Sequence, residues 1–166
     1  SVPWPVLSHR LRSGEAPIAH RPRLEAQLAE LGVPPARCAE AAARVIDAIE
    51  RMHADPRGRW LLGLTNEISD IDSELALTGM VNGQLVQGVI DRTFVDAAGT
   101  RWIVDFKTST HAGGGLDAFL DEEVIRYRPQ LHRYAQLMQQ WKPGCTLRMA
   151  LYFPLLGAWR EVSVFN

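Results

Sequence analysis

No apolar run in this 166-residue chain approaches the roughly 18–20 residues that cross a bilayer, and no basic-then-apolar leader opens it. A membrane protein is therefore not expected. Cysteine is scarce: Cys38 and Cys145 stand far apart with no CxxC pair, which excludes a cysteine-built zinc site or iron–sulfur cluster. They read as small buried hydrophobes of a reducing cytoplasm. An excess of one charge is missing too, since 18 Lys and Arg face 19 Asp and Glu for a net charge of −1. A free-standing nucleic-acid binder gains affinity by neutralising phosphates and is ordinarily basic, so that class is disfavoured. A catalytic domain delivered to its polymer by something else is not. HExxH, GxSxG and a phosphate-binding Gly-rich loop are all absent; Gly113 to Gly115 lacks both the strand–loop–helix setting and the Lys such a loop needs. The chain starts without Met, and the expectation is a piece of a longer polypeptide.

What is present suffices for one globular domain. The hydrophobic share of 46% and charged share of 22% are those of a folded protein with a real core. Residues 1–20, rich in Pro, Arg and His, read as an irregular arm. A helical region is expected over 21–55. Its first helix, 21–31, has Leu24, Leu28 and Leu31 on one face and Gly32 as its stop. Its second, 35–53, carries Val45, Ile46, Ile49 and Met52 at helical spacing, and Asp55-Pro56 ends it. Strands follow at 75–81 and 84–95, joined by the hairpin dipeptide Asn82-Gly83, and a third at 100–107. A helix over 116–126 is expected to break at Pro129, which suits the first turn of another helix reaching Trp141. Two last strands, 146–153 and 159–165, complete a mixed α/β domain.

The turn between the second and third strands predicts more than topology. Ala97-Ala98-Gly99 suits a three-residue hairpin loop whose last residue is left-handed, which favours Gly. That register pairs Phe94 with Trp102 and sets Asp91 opposite Asp105. Alternation puts Ile90, Phe94, Trp102, Val104 and Phe106 on a core face and Asp91, Asp105 and Lys107 on the other. Such charges on a strand are ordinarily a solvated surface. Directly opposed carboxylates repel, however, and a divalent cation with oxygen ligands relieves the repulsion.

Gly88-Val89-Ile90-Asp91, then Asp105-Phe106-Lys107-Thr108, then Gln130-Leu131-His132-Arg133-Tyr134 form an ordered series. It resembles the PD-(D/E)XK nuclease superfamily and, more narrowly, the C-terminal nuclease domain of bacterial helicase–nucleases of the RecB and AddA type (exonuclease V beta subunit type). The resemblance implies a restriction-endonuclease-like core over 73–166, with a mixed β-sheet of a three-stranded meander plus C-terminal strands, flanked by helices. It implies Mg2+ (or Mn2+) bound by Asp91, Asp105 and the backbone carbonyl of Phe106, with Glu74 as a further acidic candidate, and Lys107 orienting the attacking water. Gln130 and Tyr134 share a helix face that could close over the site, though Tyr134 could equally pack beside Leu131 and Met138. Tyr127, Arg126 and Arg128 are candidates to support the site or touch DNA, a solvated helix face being the alternative. His111 and His132 read as solvent-facing. The metal-binding His that such domains carry upstream has no counterpart among His9, His20 or His53. The implied activity is metal-dependent hydrolysis of DNA phosphodiester bonds in recombination and DNA repair. The implied partners are DNA, a helicase motor in the parent chain and a second helicase–nuclease subunit. The other reading is a nuclease-like module, weak or inactive, that guides DNA or docks a subunit.

Overall fold

A computed structural model describes residues 21–164; the expected arm over 1–20 and Phe165, the last residue of the expected final strand, lie outside them. Helices α1 (Arg21–Glu30), α2 (Pro35–Ala54) and α3 (Pro56–Leu61) precede strands β1 (Ile68–Val81), β2 (Gln84–Asp96) and β3 (Arg101–Phe106). Helix α4 (Leu116–Trp141) then leads to β4 (Leu147–Phe153) and β5 (Ala158–Val162). The five strands pair in the order β1-β2-β3-β4-β5, with β3 and β4 parallel and the other neighbours antiparallel.

Helices cover the sheet on both faces. Leu131, Tyr134, Leu137 and Met138 of α4 pack with Ile90, Ile103, Met149 and Leu151 on one side. Met52 of α2 and Leu61 of α3 pack with Phe94, Trp102, Val104, Phe106 and Tyr152 on the other. All six residues of β3 are consequently buried, the pattern of a central strand between two helical layers. The face expected to be solvated is instead the α4 face. A second difference is that one helix of 26 residues runs through Pro129, with no break. The helical pattern of Leu120, Leu131, Tyr134 and Met138 against the sheet outweighs the one backbone hydrogen bond that Pro129 cannot donate. The sequence reading also missed α3, where Asp55 does double duty. Its side chain accepts from the Arg57 N–H at 3.1 Å as the N-cap, and from the Tyr152 hydroxyl at 2.6 Å. Leu31 lies past the end of α1 and is exposed, while Leu24 and Leu28 are buried.

The hairpins have the expected form. Asn82 and Gly83 both have positive φ (50° and 75°), as a type I′ turn requires. Gly99 has φ 81°, and Asp96 pairs its N–H with Thr100 O at 2.9 Å across the three-residue loop. Arg92↔Val104, Thr93↔Ile103 and Phe94↔Trp102 follow in register.

One stretch breaks the alternation. Ile90 packs on the α4 side, whereas Phe94, four residues on, packs on the opposite side; a regular strand would keep them on one face. The flip lies at Asp91. The β1–β2 ladder holds Ser73↔Arg92 and Leu75↔Ile90 but omits the pair between them, Glu74 and Asp91, and Glu74 has φ 51°. This irregularity turns Asp91 out of its own strand pairing.

Candidate active site

Asp91 leaves its ladder to serve the neighbouring strand. Its Oδ2 accepts the backbone N–H of Phe106 at 2.9 Å, and Asp105, one residue before Phe106, is buried at 4% exposure. The parallel pairing of β3 with β4 continues one residue past the strand, where the Lys107 N–H donates to Tyr152 O at 2.8 Å. That bond fixes the direction in which Lys107 leaves the sheet. Its ammonium lies 2.7 Å from Asp105 Oδ2 and 3.5 Å from the centre of the Tyr127 ring. The three residues expected to form the site, Asp91, Asp105 and Lys107, therefore meet, and Tyr127 of α4 joins them.

The electrostatics follow from burial. Asp91 is pushed up to about 9, first by burial and then by the hydrogen bond and charge of Asp105; the Phe106 N–H and the Lys107 charge oppose the shift but do not cancel it. Without a cation, the pair holds a proton across much of the neutral range. Two adjacent carboxylates, Asp105 buried and Asp91 half-buried, offset by a single ammonium suit a hard divalent cation, which takes oxygen ligands and replaces that proton. Among the described residues no third His, Cys, Asp or Glu joins the pair to make a cluster of three, so Glu74, at the interruption of the ladder opposite Asp91, does not complete such a set.

Helix α4 closes the site from above. Tyr134 is buried, its hydroxyl accepts from Gln130 Nε2 at 3.0 Å, and it is pushed up to about 12 by burial and then by the charges of Asp105 and Asp91. Tyr134 belongs to the core cluster of Leu131 and Met138 and is close enough to Asp105 and Asp91 to feel their charges. Arg126 is exposed and pairs with Glu123 at 3.3 Å, and Arg128 is half-buried. His111 stacks on Phe119 with ring centres 4.8 Å apart, and His132 bonds Ser163 O at 2.8 Å. Both are half-buried, and both of these histidines form their hydrogen bonds in exposed positions.

Two contributors, Arg92 and Glu123, escaped the sequence reading, as did the role of a third, Gly88. Arg92, directly after Asp91, is buried and donates from Nε to Leu61 O at 3.1 Å and from Nη1 to Ser73 Oγ at 2.8 Å, pinning the irregular stretch to the α3–β1 connection. Glu123 is a buried carboxylate on α4. Gly88 has a steric role: a Cβ there would lie 2.8 Å from Tyr134 Cε1 and 3.2 Å from Leu137 Cδ1. The first Gly of the Gly-x-x-Asp series thus lets the Tyr134 ring rest on β2, three residues from Asp91.

Gly88→Ala is accordingly expected to cost about 1–3 kcal/mol, the usual range for overpacking. Thermal unfolding measures it. Combined with Tyr134→Ala, which removes the obstructing ring, the loss should fall well short of the sum of the two single variants. Full additivity would show that Gly88 does not serve Tyr134.

Sequence comparison adds one finding. The family model described as the PD-(D/E)XK nuclease superfamily matches residues 7–158, which takes in every residue of the site just described. No curated protein matches the chain.

Proposed function

We propose that this chain, which belongs to the PD-(D/E)XK nuclease superfamily, is a deoxyribonuclease dependent on Mg2+ or Mn2+ and works as the nuclease part of a helicase–nuclease in recombination and DNA repair. The observation that carries the reading is the pair Asp91 and Asp105, held together in a buried setting with the Lys107 ammonium 2.7 Å from Asp105. Asp91, Asp105 and the Phe106 carbonyl would hold the cation. When bound, a divalent cation supplies electrostatic stabilisation of charge on the phosphoryl oxygens.

The chain's own residues supply the rest. Lys107, fixed between Asp105 and the Tyr127 ring, places a positive charge where negative charge builds on the phosphate and orients the attacking water. Tyr134 keeps its proton at neutral pH, so its hydroxyl can donate to an anionic neighbour while Gln130 holds the oxygen in place. The α4 face over the carboxylates limits water and strengthens these interactions.

A weak or inactive nuclease-like module, guiding DNA or docking a subunit, is favoured by one observation: no third acidic or histidine ligand joins the pair among the described residues. Incubation of the purified chain with linear DNA separates the two readings. Cleavage that appears with Mg2+ or Mn2+ and stops with a chelator is expected, and no cleavage with either metal would favour the module. Among the described residues, no helix is long and apolar enough to cross a membrane.

A further inference from the structure

Beside the carboxylates, a cleft of roughly 330 Å³ opens between the loop after β3, helix α4 and helix α2, lined by Arg44, Thr108, Ser109, Glu123, Arg126 and Tyr127. Tyr127 is shared: its ring meets the Lys107 ammonium at 3.5 Å and also forms part of the cleft wall. The cleft therefore adjoins the position where Lys107 would meet the scissile phosphate. Arg44 and Arg126, from helices far apart in sequence, line it with Thr108 and Ser109, the residues that directly follow Lys107. Forked guanidinium donors and hydroxyls are the groups that recognise phosphate oxygens.

The buried carboxylate explains how an exposed arginine could be useful there. The Arg126 side chain is 67% exposed and on its own would sample many rotamers, while the Glu123 side chain is 4% exposed and rigidly placed one helical turn away. Their 3.3 Å contact anchors the guanidinium at the rim of the cleft. A pre-placed donor loses less freedom when an anion arrives.

We infer that Arg44 and Arg126, the latter positioned by Glu123, form a phosphate subsite that grips the nucleic-acid strand next to the bond being cut. This rests on the nuclease reading and adds to it a specific path for the strand, from the carboxylates past Tyr127 into the cleft. The small volume suits one phosphate with its sugar. The phosphate is the internal diester adjoining the scissile one; a terminal phosphomonoester has the same recognition chemistry and is separated by the test below.

Glu123 provides a test of sign. If it merely sat near the strand, its negative charge would repel phosphate, and Glu123→Gln would tighten binding. As the anchor of Arg126, its replacement should weaken binding even though a negative charge is removed. Binding of a fluorescent single-stranded oligonucleotide to the whole chain is measured in Ca2+ to suppress cleavage, across a salt series, with 5′-phosphate and 5′-hydroxyl versions. Arg44→Ala, Arg126→Ala and Glu123→Gln are each expected to weaken binding about three- to ten-fold, and the two arginine variants to lower the salt slope by about 0.7. Equal losses on both oligonucleotides assign the internal diester, and losses confined to the 5′-phosphorylated one assign the terminal phosphate. Arginine variants that bind like the parent protein, or tighter binding by Glu123→Gln, would overturn the subsite. Circular dichroism verifies that each variant is folded. Failure of the nuclease reading is read separately: no DNA cleavage by the parent chain with Mg2+ or Mn2+ would count against that reading, whatever the variants do in the binding measurement.

Discussion

Asp105→Ala should lose metal-dependent DNA cleavage by about three orders of magnitude or more, because several kcal/mol of transition-state stabilisation depends on the cation it helps hold. The same variant should unfold at an equal or slightly higher temperature in the absence of metal. Asp105 is buried at 4% exposure beside a second carboxylate, so its removal relieves both desolvation and like-charge repulsion. One loss opposes this gain, the 2.7 Å ion pair with Lys107. Lys107 nevertheless retains the Tyr127 ring and already acts favourably on Asp91, which is freer to ionise once its acidic neighbour is gone. A stable, folded and inactive variant is the mark of a residue present for chemistry and not for packing. Parallel assays of cleavage and thermal unfolding decide it. Undiminished cleavage would remove Asp105 from the site, and a large drop in unfolding temperature would make its role structural.

Much of this architecture was legible in the sequence because it depends on local chemistry. Asn82-Gly83 and Ala97-Ala98-Gly99 each demand particular backbone conformations, and the second fixes a register that carries through Phe94↔Trp102 to Arg92↔Val104. Extended one step, that register places Asp91 and Asp105 together, and the Asp91–Phe106 hydrogen bond is the outcome. Features set by tertiary contacts were not legible. Pro129 reads locally as a helix break, yet residues on both sides of it, Leu120 and Leu131, pack on the same sheet, and that burial keeps one helix intact. The change of face between Ile90 and Phe94 depends on the left-handed Glu74 across the ladder and on Arg92 reaching Leu61 O. No periodicity within β2 announces either.

The site divides along the same line. Asp91, Asp105 and Lys107 are brought together by the hairpin register, and Gln130 and Tyr134 are singled out by the resemblance to the family's motifs. Arg44 and Glu123 could not be named in either way, since one sits on a helix ahead of the sheet and the other in an ordinary acidic pair, Glu122-Glu123, on α4. Only the packing of α2 and α4 around the loop after β3 brings them to the same cleft. Helical periodicity alone would separate Glu123, in step with buried Leu120, from the exposed Glu122. It would not say what the buried carboxylate faces.

The metal-free protein should become less stable as pH rises, and Asp91 should be responsible. Its ordinary value is 3.8, and in the folded chain it is pushed up to about 9, with burial the largest cause and Asp105 the next. Between those two values the unfolded chain has lost the proton that the folded chain keeps. Stability therefore falls with pH across that window: the contribution is fully present below about 4 and is lost as pH rises through about 9. Asn at this position cannot ionise, yet it retains a carbonyl oxygen for the Phe106 N–H that Asp91 Oδ2 accepts at 2.9 Å. Asp91→Asn should thus flatten the profile, giving an unfolding temperature close to the parent's at pH 5 and clearly above it at pH 9, both in chelator. Magnesium should act in the opposite sense on the parent protein, since a cation that binds the ionised pair stabilises more as proton competition fades. Its stabilising effect should be larger at pH 8 than at pH 5, and nearly absent in Asp91→Asn. Chelated parent and variant profiles that run parallel from pH 5 to pH 9 would show that Asp91 carries no such linkage, and that the two carboxylates do not strain each other in the folded chain.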